Sequence, residues 1–138
     1  MNLSEQQSKD RFDRSRVVRL ATADAHGSPH LVPATFARQG DVLVIAIDSK
    51  PKRHRNLKRL RNILENPNVS LLADQYDDDW TRLWWARADG RAALEEVGAE
   101  PGLMNALANR YAQYREDAPG GPLIVITVHK WTGWAFTE

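Results

Sequence analysis

Val17-Val-Arg-Leu-Ala-Thr-Ala-Asp-Ala-His-Gly-Ser-Pro-His-Leu-Val-Pro-Ala-Thr-Phe-Ala-Arg-Gln-Gly-Asp-Val-Leu-Val-Ile-Ala-Ile47 is the stretch from which the fold is read. Residues 17–23 and 31–37 are strand-like, and Asp24-Ala-His-Gly-Ser28 between them has turn composition, with Gly27 available for positive φ. The two runs should pair as a hairpin. Gln39-Gly-Asp41 turns the chain again into residues 42–47, which predicts a three-strand antiparallel meander. Downstream, residues 69–73 read as a fourth strand and residues 84–91 as a fifth, where Gly90 marks a bulge or turn. Leu103, Leu107, Tyr111 and Tyr114 give residues 102–115 a helical pattern, which Gly120-Gly-Pro122 breaks. Residues 123–128 form a sixth strand leading into Trp131-Thr-Gly-Trp134. Upstream, Ser4 with Gln7 reads as a capping box opening a helix over residues 4–14. Six short strands in sequential hairpins, with one helix after the third and another before the last, predict a mainly β chain with helices (α+β) in a six-stranded antiparallel barrel.

Composition bounds the function. A chain of 138 residues that is 42% hydrophobic is expected to be one domain spanning 1–138. No run of about 18 apolar residues is present, and the N-terminus lacks a charged-then-apolar leader pattern, so a cytoplasmic location without membrane association is the expectation. The absence of cysteine removes thiol nucleophiles and thiolate metal sites. His26, His30, His54 and His129 are scattered without metal-ligand spacing, so no metal site is expected.

The charge is unevenly placed. Lys50-Pro-Lys-Arg-His-Arg-Asn-Leu-Lys-Arg-Leu-Arg61 holds seven of the 19 Lys and Arg residues and no acid. The remainder has 12 basic against 18 acidic residues, a balance of −6, so the positive field sits on one segment and asks for an anionic partner. Asp48, Ser49 and Pro51 make a plausible helix start, and Asn66-Pro67 ends the helix. At 100° per residue Leu57, Leu60 and Leu64 share an apolar face, while Lys52, Arg55, Asn56, Arg59 and Asn62 gather on the roughly opposite one. That basic face is expected to be available to a ligand, and a phosphate near Lys50, Lys52 and Arg53 would be held by the helix N-terminus and side chains together. A solvated basic helix is the simpler reading of the same charges.

No protein-borne chemistry stands out. The chain has no Gly-x-Ser-x-Gly elbow, and Asp77-Asp78-Asp79 read as solvated or capping residues rather than as a catalytic pair. Neither Gly-x-Gly-x-x-Gly nor a P-loop occurs, which disfavours the usual dinucleotide and nucleotide folds. A reaction here would be carried by a cofactor that the protein orients, with no catalytic side chain required.

The order of motifs carries a family resemblance. Arg19-Leu-Ala-Thr-Ala23, Gly27-Ser-Pro-His-Leu-Val-Pro-Ala-Thr-Phe36, Val44-Ile-Ala-Ile-Asp-Ser-Lys-Pro-Lys-Arg53 and Arg61-Asn-Ile-Leu-Glu-Asn-Pro-Asn-Val69 resemble the pyridoxamine-phosphate-oxidase-like split β-barrel superfamily. Asp77-Asp-Asp-Trp-Thr-Arg-Leu-Trp-Trp85 and Trp131-Thr-Gly-Trp134 are similar to an actinobacterial branch of coenzyme F420-dependent oxidoreductases. The resemblance covers roughly residues 16–134. It implies a homodimer of FMN-binding split-barrel type with two deazaflavin sites at the subunit interface, and hydride transfer to or from a small organic substrate. By position, Val32, Pro33, Ala34 and Thr35 would border the ring, with Ile47, Asp48 and Ser49 closing another side. Lys50, Lys52 and Arg53 would hold the phosphate tail. Arg59 and Asn62 fall where the family's Lys-x-Arg-Asn motif makes its contacts, with Arg in place of Lys. Arg55-Asn56 offers a second register, and Arg61-Asn62 keeps the family spacing to Asn66-Pro67 and Val69.

The tryptophans have structural and functional readings side by side. Trp84 and Trp85 are adjacent on a strand and point to opposite faces, so one of them, Trp85, is a pocket candidate. Trp131 and Trp134 are also on opposite faces of a regular strand, and one of the two is expected at the site of a second subunit. Three rival functions remain at this level: an FMN-binding oxidase or reductase of the same fold, a carrier of the cofactor, and a nucleic-acid-binding small barrel. The −6 remainder weighs against the last, since it would repel a long polyanion, and no nucleic-acid partner is expected.

Overall fold

The expected hairpins form, but they are joined into one sheet that changes ladders in the middle of a predicted strand. The computed structural model describes residues 1–47 and 54–137, with the side chains of 54–57 excepted. Helix α1 (Glu5–Arg14) is followed by β1 (Val18–Ala23), β2 (Pro29–Ala34), β3 (Ala37–Gln39) and β4 (Val42–Ala46). Then come α2 (His54–Glu65), β5 (Asn68–Gln75), β6 (Trp84–Glu95), α3 (Pro101–Arg110), α4 (Ala112–Glu116) and β7 (Leu123–Ala135). All neighbouring strands are antiparallel, in the order β2-β1-β5-β6-β7-β4-β3.

The strand predicted over residues 31–37 is therefore two strands on opposite edges. Ala34 is the last residue of β2 to pair with β1, and Ala37 is the first of β3 to pair with β4. Three chain steps span at most roughly 11 Å, so the two edges must come close and the sheet must roll. Between them sits Phe36, fully buried. Among the described residues the sheet has seven strands rather than six, and no hydrogen-bonded ladder joins β2 to β3, so the rolled sheet is open at that seam.

The roll encloses one apolar core. Val18 and Leu20 from β1, Leu43 and Ile45 from β4, Leu71 from β5, and Ile124 and Ile126 from β7 alternate inward along their strands. On β5 and β6 the inward residues Ala73, Ala86 and Ala88 are small, which leaves room for the rings of Phe12, Phe36 and Trp131. Phe12 meets Phe36 edge-on at 5.9 Å and Trp131 edge-on at 5.3 Å between ring centroids. A second cluster, built on Ala37, Val44, Leu103, Leu107, Tyr111 and Leu123, fixes α3 to β3, β4 and β7.

Helix α1 carries Phe12 into the core and is anchored by its polar side. The Ser4–Gln7 capping box opens it, as the sequence predicts. Arg38 donates twice to Asp13, at 2.6 and 2.8 Å, and Lys9 lies 2.9 Å from Asp41. Asp41 also accepts the Trp131 indole N–H at 3.0 Å. It thus joins α1, the β3–β4 turn and β7.

Gly90 is a bulge. The β6–β7 register shifts between Asp89 and Gly90, leaving His129 unpaired between Val128 and Lys130. A Cβ at residue 90 would lie 2.4 Å from the Thr127 carbonyl oxygen, so the two backbones approach to a distance only glycine permits. Gly90→Ala is expected to cost about 1–3 kcal/mol of stability in chemical denaturation. Gly98→Ala, whose Cβ would meet nothing within 4 Å, should be close to neutral.

Asp41 also ties stability to acid. The Lys9 hydrogen bond, followed by that from Trp131, holds its carboxyl below the usual carboxylate range. A lowered folded pKa gives stability that is present above the unfolded pKa and lost as pH falls through the folded one. Thermal melts should therefore show the native chain losing stability below about pH 4, and Asp41→Asn should be less stable at neutral pH and lose less over that acid range.

Candidate functional site

Four elements meet where the sequence places the candidate ring-binding residues: the end of β2, the end of β4, α2 and α4. Val32 is half-buried against the core, Pro33 is exposed and Ala34 is buried. Thr35 is half-buried, and its hydroxyl lies 3.0 Å from the Tyr114 phenol of α4. Ile47 is buried, and its N–H donates to the Pro122 carbonyl at 3.2 Å. The close approach extends to Gly121, where a Cβ would lie 2.7 Å from the Ile47 carbonyl oxygen. Asp48, Ser49, Lys50, Lys52 and Arg53, with the expected helix start at Pro51, lie outside the described residues.

Helix α2 ends at Glu65, before Asn66-Pro67, as expected, but it is rotated about its axis relative to the face read from sequence. Leu64, assigned to the apolar face, is 73% exposed. Ile63 and Asn62 are buried instead, with Leu60 packed partly against the core. The buried arc runs through residues 62, 59, 63 and, less deeply, 60, so it is centred between residues 59 and 63, and residue 64 lies 100° beyond Ile63. Asn62 is therefore not on an open basic face. Its amide donates to the buried Thr22 hydroxyl on β1 at 3.0 Å, and its Oδ1 is enclosed with no hydrogen-bond partner among the described residues. Neighbouring contacts keep the helix in this rotation. Lys58 lies 3.9 Å from Asp24, and Glu65 accepts the Ala25 N–H at 3.0 Å.

Arg59 is half-buried on the same arc. Burial lowers the pKa of its guanidinium, and the Tyr114 phenol opposes that shift by Coulomb interaction. Arg59, Thr35 and Tyr114 are thus brought to one place from α2, β2 and α4. Tyr114 is a member of this cluster that its helical pattern alone does not reveal, because a tyrosine on a helix reads first as packing. Tyr111 explains how α4 is placed. Its phenol donates to the Arg16 carbonyl at 2.8 Å and accepts the Phe36 N–H at 3.2 Å.

The tryptophans divide by face. Trp131 is 7% exposed, turned inward onto Phe12, with its indole N–H used by Asp41. It has little surface to offer a second chain. Trp85 and Trp134 pair across β6 and β7 on the outer face and are half-buried. Trp85 lines a shallow cavity of about 300 Å³ with Leu72, Asp74, Tyr76 and Arg87. Trp84 points to the other face and packs against the core, as adjacency on a strand predicts. Among the described residues no helix is long and apolar enough to cross a membrane.

Comparison with known proteins agrees with this architecture. A family model described as pyridoxamine 5'-phosphate oxidase matches residues 4–135. A FAD-binding protein from Mesorhizobium loti superposes with a TM-score of 0.73 at 21% identity, covering 96% of this chain and 95% of that one. A FAD-binding protein from Mycobacterium smegmatis gives 0.67 at 17% identity over 97% and 96% of the two chains. HutZ, the heme storage protein of Vibrio cholerae, gives 0.71 at 16% identity over 95% and 93%. At these identities the likeness is one of fold. A comparison with curated proteins gives no match.

The rotation of α2 makes a direct prediction. Asn62→Ala should cost about 1–3 kcal/mol in equilibrium unfolding, because it strips a buried hydroxyl of its donor and leaves a gap. Leu64→Ala should change stability by no more than about 0.5 kcal/mol.

Proposed function

Since the chain belongs to the pyridoxamine 5'-phosphate oxidase family, we propose that it binds a flavin-type cofactor, specifically the deazaflavin coenzyme F420, beside β2 and α2, and acts as an F420-dependent oxidoreductase on a small organic substrate. When bound, the cofactor supplies two-electron hydride chemistry. The protein's part is to bind and orient, which accords with the lack of any nucleophile or acid–base pair among the candidate residues.

One observation carries this reading. Arg59 is a partly desolvated cation placed next to Thr35 and Tyr114, where an anionic group gains more than it would in water. Asn62, three residues further along α2, adds an enclosed amide oxygen with no hydrogen-bond partner among the described residues, able to accept from a polar cofactor atom. The seven cations of residues 50–61 form an extended run, which suits a phosphodiester with a poly-glutamate tail better than one terminal phosphate. Val32, Pro33, Ala34, Thr35 and Ile47 would border the ring.

The same proposal includes a homodimer. Leu72 and Tyr76 are 36% and 72% exposed and lie beside Trp85 on the outer sheet face, an apolar area suited to a second copy. Trp85 or Trp134 would then reach the second subunit's site, whereas Trp131 is spent in its own core.

Titration with oxidised F420 and with FMN, followed by visible absorbance, tests the cofactor. Tighter F420 binding is expected, and FMN saturation without F420 binding would move the protein to a flavin-using branch. Loss of one charge-assisted contact is worth about 1.5–3 kcal/mol, so Arg59→Gln should weaken F420 binding roughly ten- to a hundredfold. Light scattering should give a dimer, and a folded monomer that still binds F420 would refute the shared site.

A further inference from the structure

A second cationic cleft lies on elements that contribute nothing to the α2 site. It has a volume of about 450 Å³, between the C-terminal half of α1 and the adjoining ends of β5 and β6, and is lined by Arg11, Arg14, Gln75, Thr81, Arg82 and Trp84 among others. Three arginines line it, and among the described residues no Asp or Glu does.

The acids nearby are committed elsewhere. Asp13 is held by Arg38, Asp10 accepts from Gln6, and Asp79 accepts from the Thr81 hydroxyl and N–H. Asp77 reaches Arg82 at 3.7 Å, so Arg82 is partly compensated. Among the described residues neither Arg11 nor Arg14 has a carboxylate within 4.0 Å. Burial lowers the Arg11 pKa, and Arg14 lowers it further by repulsion. A bound anion would offset both by its opposite charge.

Basic residues in the last turn of a helix ordinarily serve its negative end. Here that end is already satisfied by other groups. The Ser15 N–H and hydroxyl donate to the Phe12 and Arg11 carbonyls, and Arg110 donates to the Asp13 and Ser15 carbonyls. The guanidinium groups of Arg11 and Arg14 are not needed as caps.

The cleft is also held in shape. Arg11 lies over the Trp84 ring at 5.2 Å, and the Trp84 indole N–H donates to Gln75 Oε1 at 3.3 Å. That contact engages the Gln75 oxygen and leaves its amide NH2 as a further donor.

We propose that this cleft binds a small phosphorylated anion, gripped by Arg11 and Arg14 with Arg82 and the Gln75 amide completing the donor set. A tetrahedral phosphate accepts from donors arriving from several directions, as they do here from α1, β5 and the β5–β6 connection. A planar carboxylate is satisfied by one guanidinium fork. The cavity is larger than a bare phosphate, and Leu83 with the Trp84 ring provides an apolar wall for the rest of an ester.

Inorganic pyrophosphate is the probe, titrated into the full chain by calorimetry and by NMR of the arginine Nε–H signals. Saturable binding is expected, with Arg11 and Arg14 resonances shifting and with Arg11→Gln and Arg14→Gln each weakening affinity at least tenfold. Arg91→Gln, on an exposed residue of β6, should leave it unchanged. Arg14 is exposed, so its variant keeps the test decisive even if Arg11→Gln disturbs packing on Trp84. Absence of binding at millimolar pyrophosphate would overturn the proposal, as would equal weakening by Arg91→Gln. Succinate binding as tightly as pyrophosphate would overturn the phosphate assignment.

Discussion

The burial of Phe36 between two ladders is the constraint on which the rest of the structure depends. Its neighbours Ala34 and Ala37 pair with strands at opposite ends of the sheet order, so the chain can make both sets of hydrogen bonds only if the sheet rolls. The ring makes that roll favourable. It packs edge-on against Phe12 inside and carries the Arg110 guanidinium over it at 4.5 Å. Its N–H, which neither ladder takes, is accepted by the Tyr111 phenol. A buried backbone donor would otherwise lose its partner at this seam.

The same phenol and guanidinium connect the seam to the candidate site. Tyr111 and Arg110 hold the C-terminal end of α3 against residues 13–16, which sets α4 beside β2 and lets Tyr114 meet Thr35. On the other side, α2 is held by a buried amide rather than by a leucine seam. Asn62 reaches Thr22 while Lys58 and Glu65 engage the β1–β2 turn, and this polar register turns Arg59 toward α4. Burying an amide with one oxygen unmatched costs stability. Its retention in the interior is understandable if a polar ligand atom completes it.

Charge is organised in a complementary way. Acids outside residues 50–61 are largely engaged with local partners: Asp13 with Arg38, Asp41 with Lys9, and Asp24 with the N–H groups of His26 and Ser28. These pairs are solvent-accessible and contribute little individually. Their consequence is that the α1 cleft keeps two cations, Arg11 and Arg14, with no carboxylate within 4.0 Å among the described residues.

The sequence by itself determined the local elements, because each is encoded by contacts between near neighbours. The Ser4–Gln7 cap, the Asp24–Ser28 turn with Gly27 at φ 84°, the Gly90 bulge and the end of α2 at Asn66-Pro67 were all legible, as were the opposed faces of Trp84 and Trp85. The motif order was enough to indicate the superfamily. Only the tertiary structure decided that residues 31–37 belong to two strands, since an apolar run reads the same whether its partner stays constant or changes at Phe36. It also decided the rotation of α2. A helical wheel ranks Leu64 above Asn62 for burial, but a hydroxyl at Thr22, forty residues away, reverses that order. For the same reason the union of Thr35, Arg59 and Tyr114, and the cleft of Arg11 and Arg14, could not be read along the chain: both exist only where distant segments meet.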